Sequence, residues 1–192
     1  MGKIILGLVG EIASGKDTVG RHLVKKYGAK VISFSDPLRD TLDRFYLPKT
    51  RLNLANLGHT LRQTFGEDIL SQTVAAEIKA SKKQIIVLPN VRLRHDLKHL
   101  EHEPGFKLVA ILTEQKTRFE RLRKRRQNAD DKTKTWQQFL ADSELPTEKQ
   151  IRKLAKEAEF SLDNNGSRAV LYRQVDQMMA KILKPRQTGR RN

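Results

Sequence analysis

The sequence predicts an α/β fold in which a five-stranded parallel sheet lies between layers of helices. Three observations predict it. Five short apolar runs, Ile4–Val9, Val31–Phe34, Ile85–Leu88, Lys107–Leu112 and Phe160–Leu162, have the length of buried strands. Helical patterns separate them, which is the signature of crossover connections between parallel neighbours. The chain has 192 residues, enough for one domain that buries about 70% of its unfolded surface.

The first apolar run feeds directly into Gly10-Glu11-Ile12-Ala13-Ser14-Gly15-Lys16-Asp17-Thr18, and a helix is predicted over 18–27. Strand, glycine-rich turn and helix in that order are the context of a phosphate-binding loop. Glycines let the backbone wrap so that several N–H groups face one phosphate chain, and the new helix points its positive end at the same place. Gly10, Ala13, Ser14, Gly15, Lys16, Asp17 and Thr18 are therefore the expected nucleotide-binding residues, with Lys16 the cation for the β- and γ-phosphates. The usual pattern closes Gly-Lys-Ser/Thr, and its hydroxyl ligates Mg²⁺. Here Asp17 follows Lys16, so two metal ligands stand open: the Asp17 carboxylate, a hard oxygen donor, or the Thr18 hydroxyl one residue on.

Further helices are predicted over 37–46, 51–80 in two or more pieces, 93–101, 114–126, 136–143, 147–157 and 168–183. Ligands of such sheets bind at the carboxyl ends of the strands. The second strand ends at Ser35-Asp36-Pro37-Leu38-Arg39 and the third at Pro89-Asn90-Val91-Arg92. Asp36 suits two roles at once, a helix N-cap ahead of Pro37 and a carboxylate that orients an acceptor hydroxyl or takes its proton. Arg39, Arg62 and Arg92 suit an anionic acceptor, because the planar guanidinium forks onto phosphate oxygens. Pro146-Thr147 marks a turn, with Thr147 as the expected N-cap and Glu148 in the first turn. Trp136 reads as a packing anchor, and His22, His59, His95, His99 and His102 as surface residues without metal-site spacing.

Composition narrows the function. The net charge is +16, from 38 Lys+Arg against 22 Asp+Glu, which points to acidic partners: phosphorylated small molecules or nucleic acid. Seven bases fall between Lys116 and Arg126 against the single acid Glu120. The following polar stretch, Gln127–Thr133, suits a lid, and Arg121 and Arg125 would then neutralise charge on a transferring phosphoryl group. There is no cysteine, no apolar run near the roughly 20 residues of a membrane span and no secretory pattern ahead of the first strand, so a cytoplasmic protein is expected. The stretch 184–192 is basic and poor in apolar residues, and is expected to be disordered.

Together these residues resemble P-loop nucleoside monophosphate kinases, most of all the group of dephospho-coenzyme A kinase and its relatives, with phage-type deoxynucleoside monophosphate kinases nearby. The likeness rests on the phosphate loop, on Ser33–Arg39 as the acceptor-site Asp and Arg, on Arg92 after strand three and on Thr117–Arg125 as the lid helix. Asp163-Asn164-Asn165-Gly166-Ser167 resembles the loop that lies near the adenine, which adds Asn165 to the nucleotide contacts. The resemblance implies a three-layer P-loop NTPase fold forming a single kinase domain over 1–183, with a helical lid at about 121–140. It implies transfer of the γ-phosphoryl of ATP, with Mg²⁺, to a nucleotide-like acceptor: a (deoxy)nucleoside monophosphate or dephospho-coenzyme A. Relatives often carry an Asp-Gly or Asp-Val pair before the strand-three arginine, where Pro89-Asn90 stands here without a carboxylate. Two alternatives remain: a kinase of nucleic-acid 5′ ends, which the basic charge suits, and a nucleotide-binding protein with degraded catalysis.

Overall fold

A computed structural model of the chain describes residues 2–125 and 132–184, the side chains of Arg51 and Arg125 excepted. Its elements run β1 (Ile4–Val9), α1 (Lys16–Tyr27), β2 (Lys30–Val31), α2 (Asp36–Arg44), α3 (Arg51–Phe65), α4 (Ile69–Ala80), β3 (Ile85–Leu88), α5 (Arg94–Leu97), β4 (Phe106–Leu112), α6 (Gln115–Arg125), α7 (Trp136–Ser143), α8 (Pro146–Lys156), β5 (Phe160–Asp163) and α9 (Arg168–Leu183). The sheet has five strands in the order β2-β3-β1-β4-β5, and every neighbouring pair is parallel. This is the predicted α/β architecture.

Alternation along β1 explains the layers. Ile5 and Val9 face one core with Ile86, Leu88, Val74, Ile78 and Leu154, under α4, α5 and α8. Leu6 and Leu8 face the other, with Val19, Leu23, Leu171 and Val175 from α1 and α9. Each fully buried Leu or Ile is worth about 1.5–3 kcal/mol. Because the sheet is parallel, the carboxyl ends of all five strands share one edge, and the loops after them are brought together there.

Several local expectations change. Strand two is two residues long rather than four: after Val31 the chain turns, and the Ser33 N–H donates to Asp36 Oδ2 at 2.8 Å. The N-cap of α2 is Ser35, so Asp36 is the first helical residue, not the cap, and its carboxylate reaches back to close the turn. Likewise Leu145, not Thr147, is the N-cap of α8, with Pro146 at the first position. The helix expected over 93–101 holds only for Arg94–Leu97 before the chain breaks into turns. Trp136 does anchor packing: it stacks on Phe139 at 5.7 Å and takes the edge of Phe119 at 5.2 Å. Three histidines are not simply surface residues. His22 and His99 bond Asp176 and Asp68, each at 2.8 Å, and Nε2 of His95 is buried. Among the described residues no helix is long and apolar enough to cross a membrane.

Candidate functional site

The site grows from the turn between β1 and α1. Gly10 leaves the strand where a Cβ would lie 2.6 Å from both the Ile111 carbonyl and Ser14 Oγ. Gly15 caps α1 at φ 104, left-handed backbone that disfavours any side chain, and its missing Cβ is what lets Asn164 approach. Between them Ala13 also takes positive φ, 60°. The loop closes on itself through Ser14 N–H to the Glu11 carbonyl at 3.2 Å, and α1 starts with Thr18 and Val19 N–H donating to the Gly15 carbonyl. A glycine cap supplies no side chain to the first turn of α1, so this helix start is open to an anion.

Two polar side chains mark what the cradle suits. Lys16 Nζ folds back onto the carbonyls of Gly10, at 2.5 Å, and Glu11, at 3.1 Å. Ser14 is 1% exposed, yet its Oγ is buried with no hydrogen-bond partner among the described residues. A buried hydroxyl left orphaned beside an uncapped helix start fits a phosphate oxygen. Asp17, exposed in the first turn of α1, and Thr18, half-buried, are the oxygen donors nearest the cradle in sequence. Among the described residues no cluster of three or more His, Asp or Glu gathers as a metal site. Downstream of Asn90 the nearest carboxylate, Asp96, is already committed: it is 5% exposed and its Oδ2 takes the Arg92 and Leu93 N–H groups at 3.0 and 2.9 Å, capping α5. It does not replace the acid missing at Asn90.

The other loops reach the cradle unevenly. Val91 N–H donates to the Leu8 carbonyl at 3.2 Å, tying the turn after β3 to the end of β1. Asn164, after β5, is 6% exposed and donates to the Ser14 carbonyl, which also accepts from Thr113 Oγ1 after β4. Asn165, the residue expected to contact nucleotide, is exposed and occupied locally: its Oδ1 accepts from Glu114 N–H and its Nδ2 donates to Asp163. Asn164, which sequence reasoning did not single out, is the residue of this stretch that braces the phosphate loop.

The arginines divide into two sets. Arg39 and Arg92 are exposed and their side chains make no hydrogen bond or ion pair among the described residues. Arg62 is half-buried on α3, and its buried Nε, like the buried Nη1 of Arg121, has no hydrogen-bond partner among the described residues. The Arg125 side chain lies outside the described residues, as does 126–131 of the expected lid and 185–192 of the basic tail. Arg118, by contrast, is 3% exposed and pairs with Glu11 of the loop at 3.1 Å; burial lowers its pKa first, and Glu11 opposes that. Arg152 of α8 meets the same carboxylate at 3.1 Å. Neither arginine was singled out from sequence, although Arg118 sits one helical turn before Leu122, which is 1% exposed, on the buried face of α6.

No protein-family profile matches the chain. Among solved structures it is similar to shikimate kinase from Bacteroides thetaiotaomicron, with a TM-score of 0.60 at 14% identity over 93% of this chain and 98% of that one. A gluconokinase from Sinorhizobium meliloti gives 0.51 at 16% identity over 94% and 93%. These likenesses establish the fold of P-loop kinases. In sequence, the chain is 30% identical over 142 residues to a UPF0200 protein of Pyrococcus furiosus, spanning 71% of this chain and 75% of that one. With that much of both chains shared, the protein is a member of the UPF0200 family.

Proposed function

We propose that this protein is an ATP-dependent phosphotransferase that moves the γ-phosphoryl group to a nucleotide-like small molecule. The observation that carries the reading is the buried Ser14 hydroxyl, partnerless in a wound glycine loop at an uncapped helix start, with Lys16 beside it. The loop N–H groups and Lys16 would hold the β- and γ-phosphates, and Asp17 or Thr18 would hold Mg²⁺, which when bound neutralises charge on those oxygens. Lys16 then exchanges the Gly10 and Glu11 carbonyls for phosphate oxygens.

Asp36 would work on the acceptor. Its Oδ2 is fixed by the Ser33 N–H, while Oδ1 has no partner among the described residues. For a hydroxyl acceptor, the acceptor oxygen bonds to the γ-phosphorus, Asp36 takes the hydroxyl proton and ADP leaves with the electron pair of the broken P–O bond. A phosphate acceptor is already ionised and needs Arg39, Arg62 and Arg92 more than a base. The named neighbours are a shikimate kinase and a gluconokinase, which supports including shikimate and gluconate in the search.

The test is coupled ADP release from Mg-ATP against dephospho-coenzyme A, the (deoxy)nucleoside monophosphates, shikimate, gluconate and a 5′-hydroxyl oligonucleotide, with Lys16→Ala in parallel. One acceptor that raises turnover well above the acceptor-free rate, in a Lys16-dependent way, supports the reading. ATP binding without transfer to any acceptor favours the nucleotide-binding alternative raised by Asn90.

A further inference from the structure

Glu11 occupies a position that the phosphate-loop pattern leaves free, yet here it is bound on both oxygens. Oε2 lies 3.1 Å from Arg118 Nη2 and Oε1 lies 3.1 Å from Arg152 Nη1. Arg118 is itself fixed: Nε donates to the Thr113 carbonyl at 3.2 Å, Nη1 to the Ile12 carbonyl at 3.5 Å, and the guanidinium lies over the Phe139 ring at 5.4 Å. Arg152 also donates to the Ser143 carbonyl at 2.7 Å and meets Glu144 at 3.3 Å. One carboxylate thus ties the first limb of the loop to α6 and α8. The second limb is tied separately, through the Ser14 carbonyl, to Asn164 and Thr113. Ala13 sits between the two ties in left-handed backbone, a conformation that persists only where its surroundings over-determine it.

A buried ion pair is a poor way to add stability, because desolvation offsets most of the attraction. What a carboxylate forked between two guanidinium groups adds is a fixed place. We propose that Glu11 is a positioning residue: with Arg118 and Arg152 it holds the loop wound before ligand arrives, so that phosphate affinity depends on α6 and α8. Only the affinity clause rests on the nucleotide-binding reading above.

The test uses the full chain, as wild type, Glu11→Gln, Arg152→Met and the double variant. Amide hydrogen exchange is followed without ligand, and ADP affinity by calorimetric titration. Glu11→Gln keeps the shape and removes the charge, and Arg152, whose side chain is 35% exposed, is the safer change for folding. The expected result is exchange over residues 11–16 faster by about tenfold in either variant, with β3 and α9 as protected as in wild type, and ADP binding weaker by about tenfold. The double variant should lose less than the sum of the two single losses, since both remove the Glu11–Arg152 contact. Unchanged exchange in the loop, or acceleration spread over the whole chain, would overturn the proposal. So would equal ADP affinity in wild type and both variants. If no form binds ADP, the nucleotide reading fails, while the loop exchange still decides whether Glu11 holds the loop.

Discussion

Asn164 donates its side-chain amide to the Ser14 carbonyl at 2.7 Å, so the loop after the last strand holds up the loop after the first. The two residues are 150 positions apart and both are buried. Asn164→Ala leaves Thr113 as the other side-chain donor to that carbonyl, at 3.0 Å. Because the carbonyl keeps that partner, loss of the Asn164 bond should lower stability by about 0.5–1.5 kcal/mol. Asn164→Asp should be worse, because it sets a carboxylate oxygen against a carbonyl oxygen. Urea unfolding of both variants measures the order, and a more stable Asp variant would contradict it.

Gly15→Ala should be among the most damaging single changes in the chain. The backbone there is left-handed, at φ 104, and the new Cβ would run into Asn164 Nδ2. Backbone strain alone costs about 1–3 kcal/mol. Because part of the damage is a collision with one side chain, Gly15→Ala should cost less in an Asn164→Ala background. Equal costs in the two backgrounds, from a double-mutant cycle on unfolding free energies, would show that backbone strain is the whole effect.

Lys16→Ala should separate chemistry from folding. Its Nζ bonds to the Gly10 and Glu11 carbonyls are part-buried and replaceable by water, so the melting temperature should move little. Turnover with whichever acceptor the panel identifies should fall by about 10²–10³-fold, the usual cost of one electrostatic contact to the transferring group. A large fall in melting temperature with intact turnover would make Lys16 a structural residue.

The fold was legible because the sheet is buried on both faces. Short apolar runs such as Ile85–Leu88 have no other use in a chain of this composition, and caps such as Thr135 and Ser167 sit at the expected helix starts. The glycine loop was legible because its chemistry needs contiguous residues. Asp36 was misplaced by one position because Asp and Ser are both good N-caps, and only the Ser33 N–H bond tells them apart. The Glu11 clamp was not legible as such: Arg118 and Arg152 lie far along the chain from Glu11, and charge counting treats a buried arginine like an exposed one.

The last prediction concerns Asp176 of α9, which accepts from His22 Nε2, Lys26 Nζ and the Tyr27 hydroxyl of α1 at 2.8, 2.7 and 2.9 Å. Burial works against the charge on this carboxylate, but the three hydrogen bonds outweigh it and bring the pKa down to about 2. The same contact works on Tyr27: burial first, then the Asp176 carboxylate, push the phenol up to about 12. A carboxylate pKa depressed below its ordinary value of about 3.9 stabilises the fold above that pH, and the contribution fades as pH falls toward about 2. A raised phenol acts in the opposite sense, stabilising below about pH 10 and fading as pH climbs through about 12. Asp176→Asn keeps the shape and removes the charge. Its melting temperature should therefore lie below wild type near neutral pH, and the gap should narrow from about pH 4 downward. Taking the difference cancels the acid response of every other carboxylate. A gap that stays the same down to about pH 2 would mean that Asp176 contributes through shape and neutral hydrogen bonds, and that its charge does not link α9 to the helix carrying the phosphate loop.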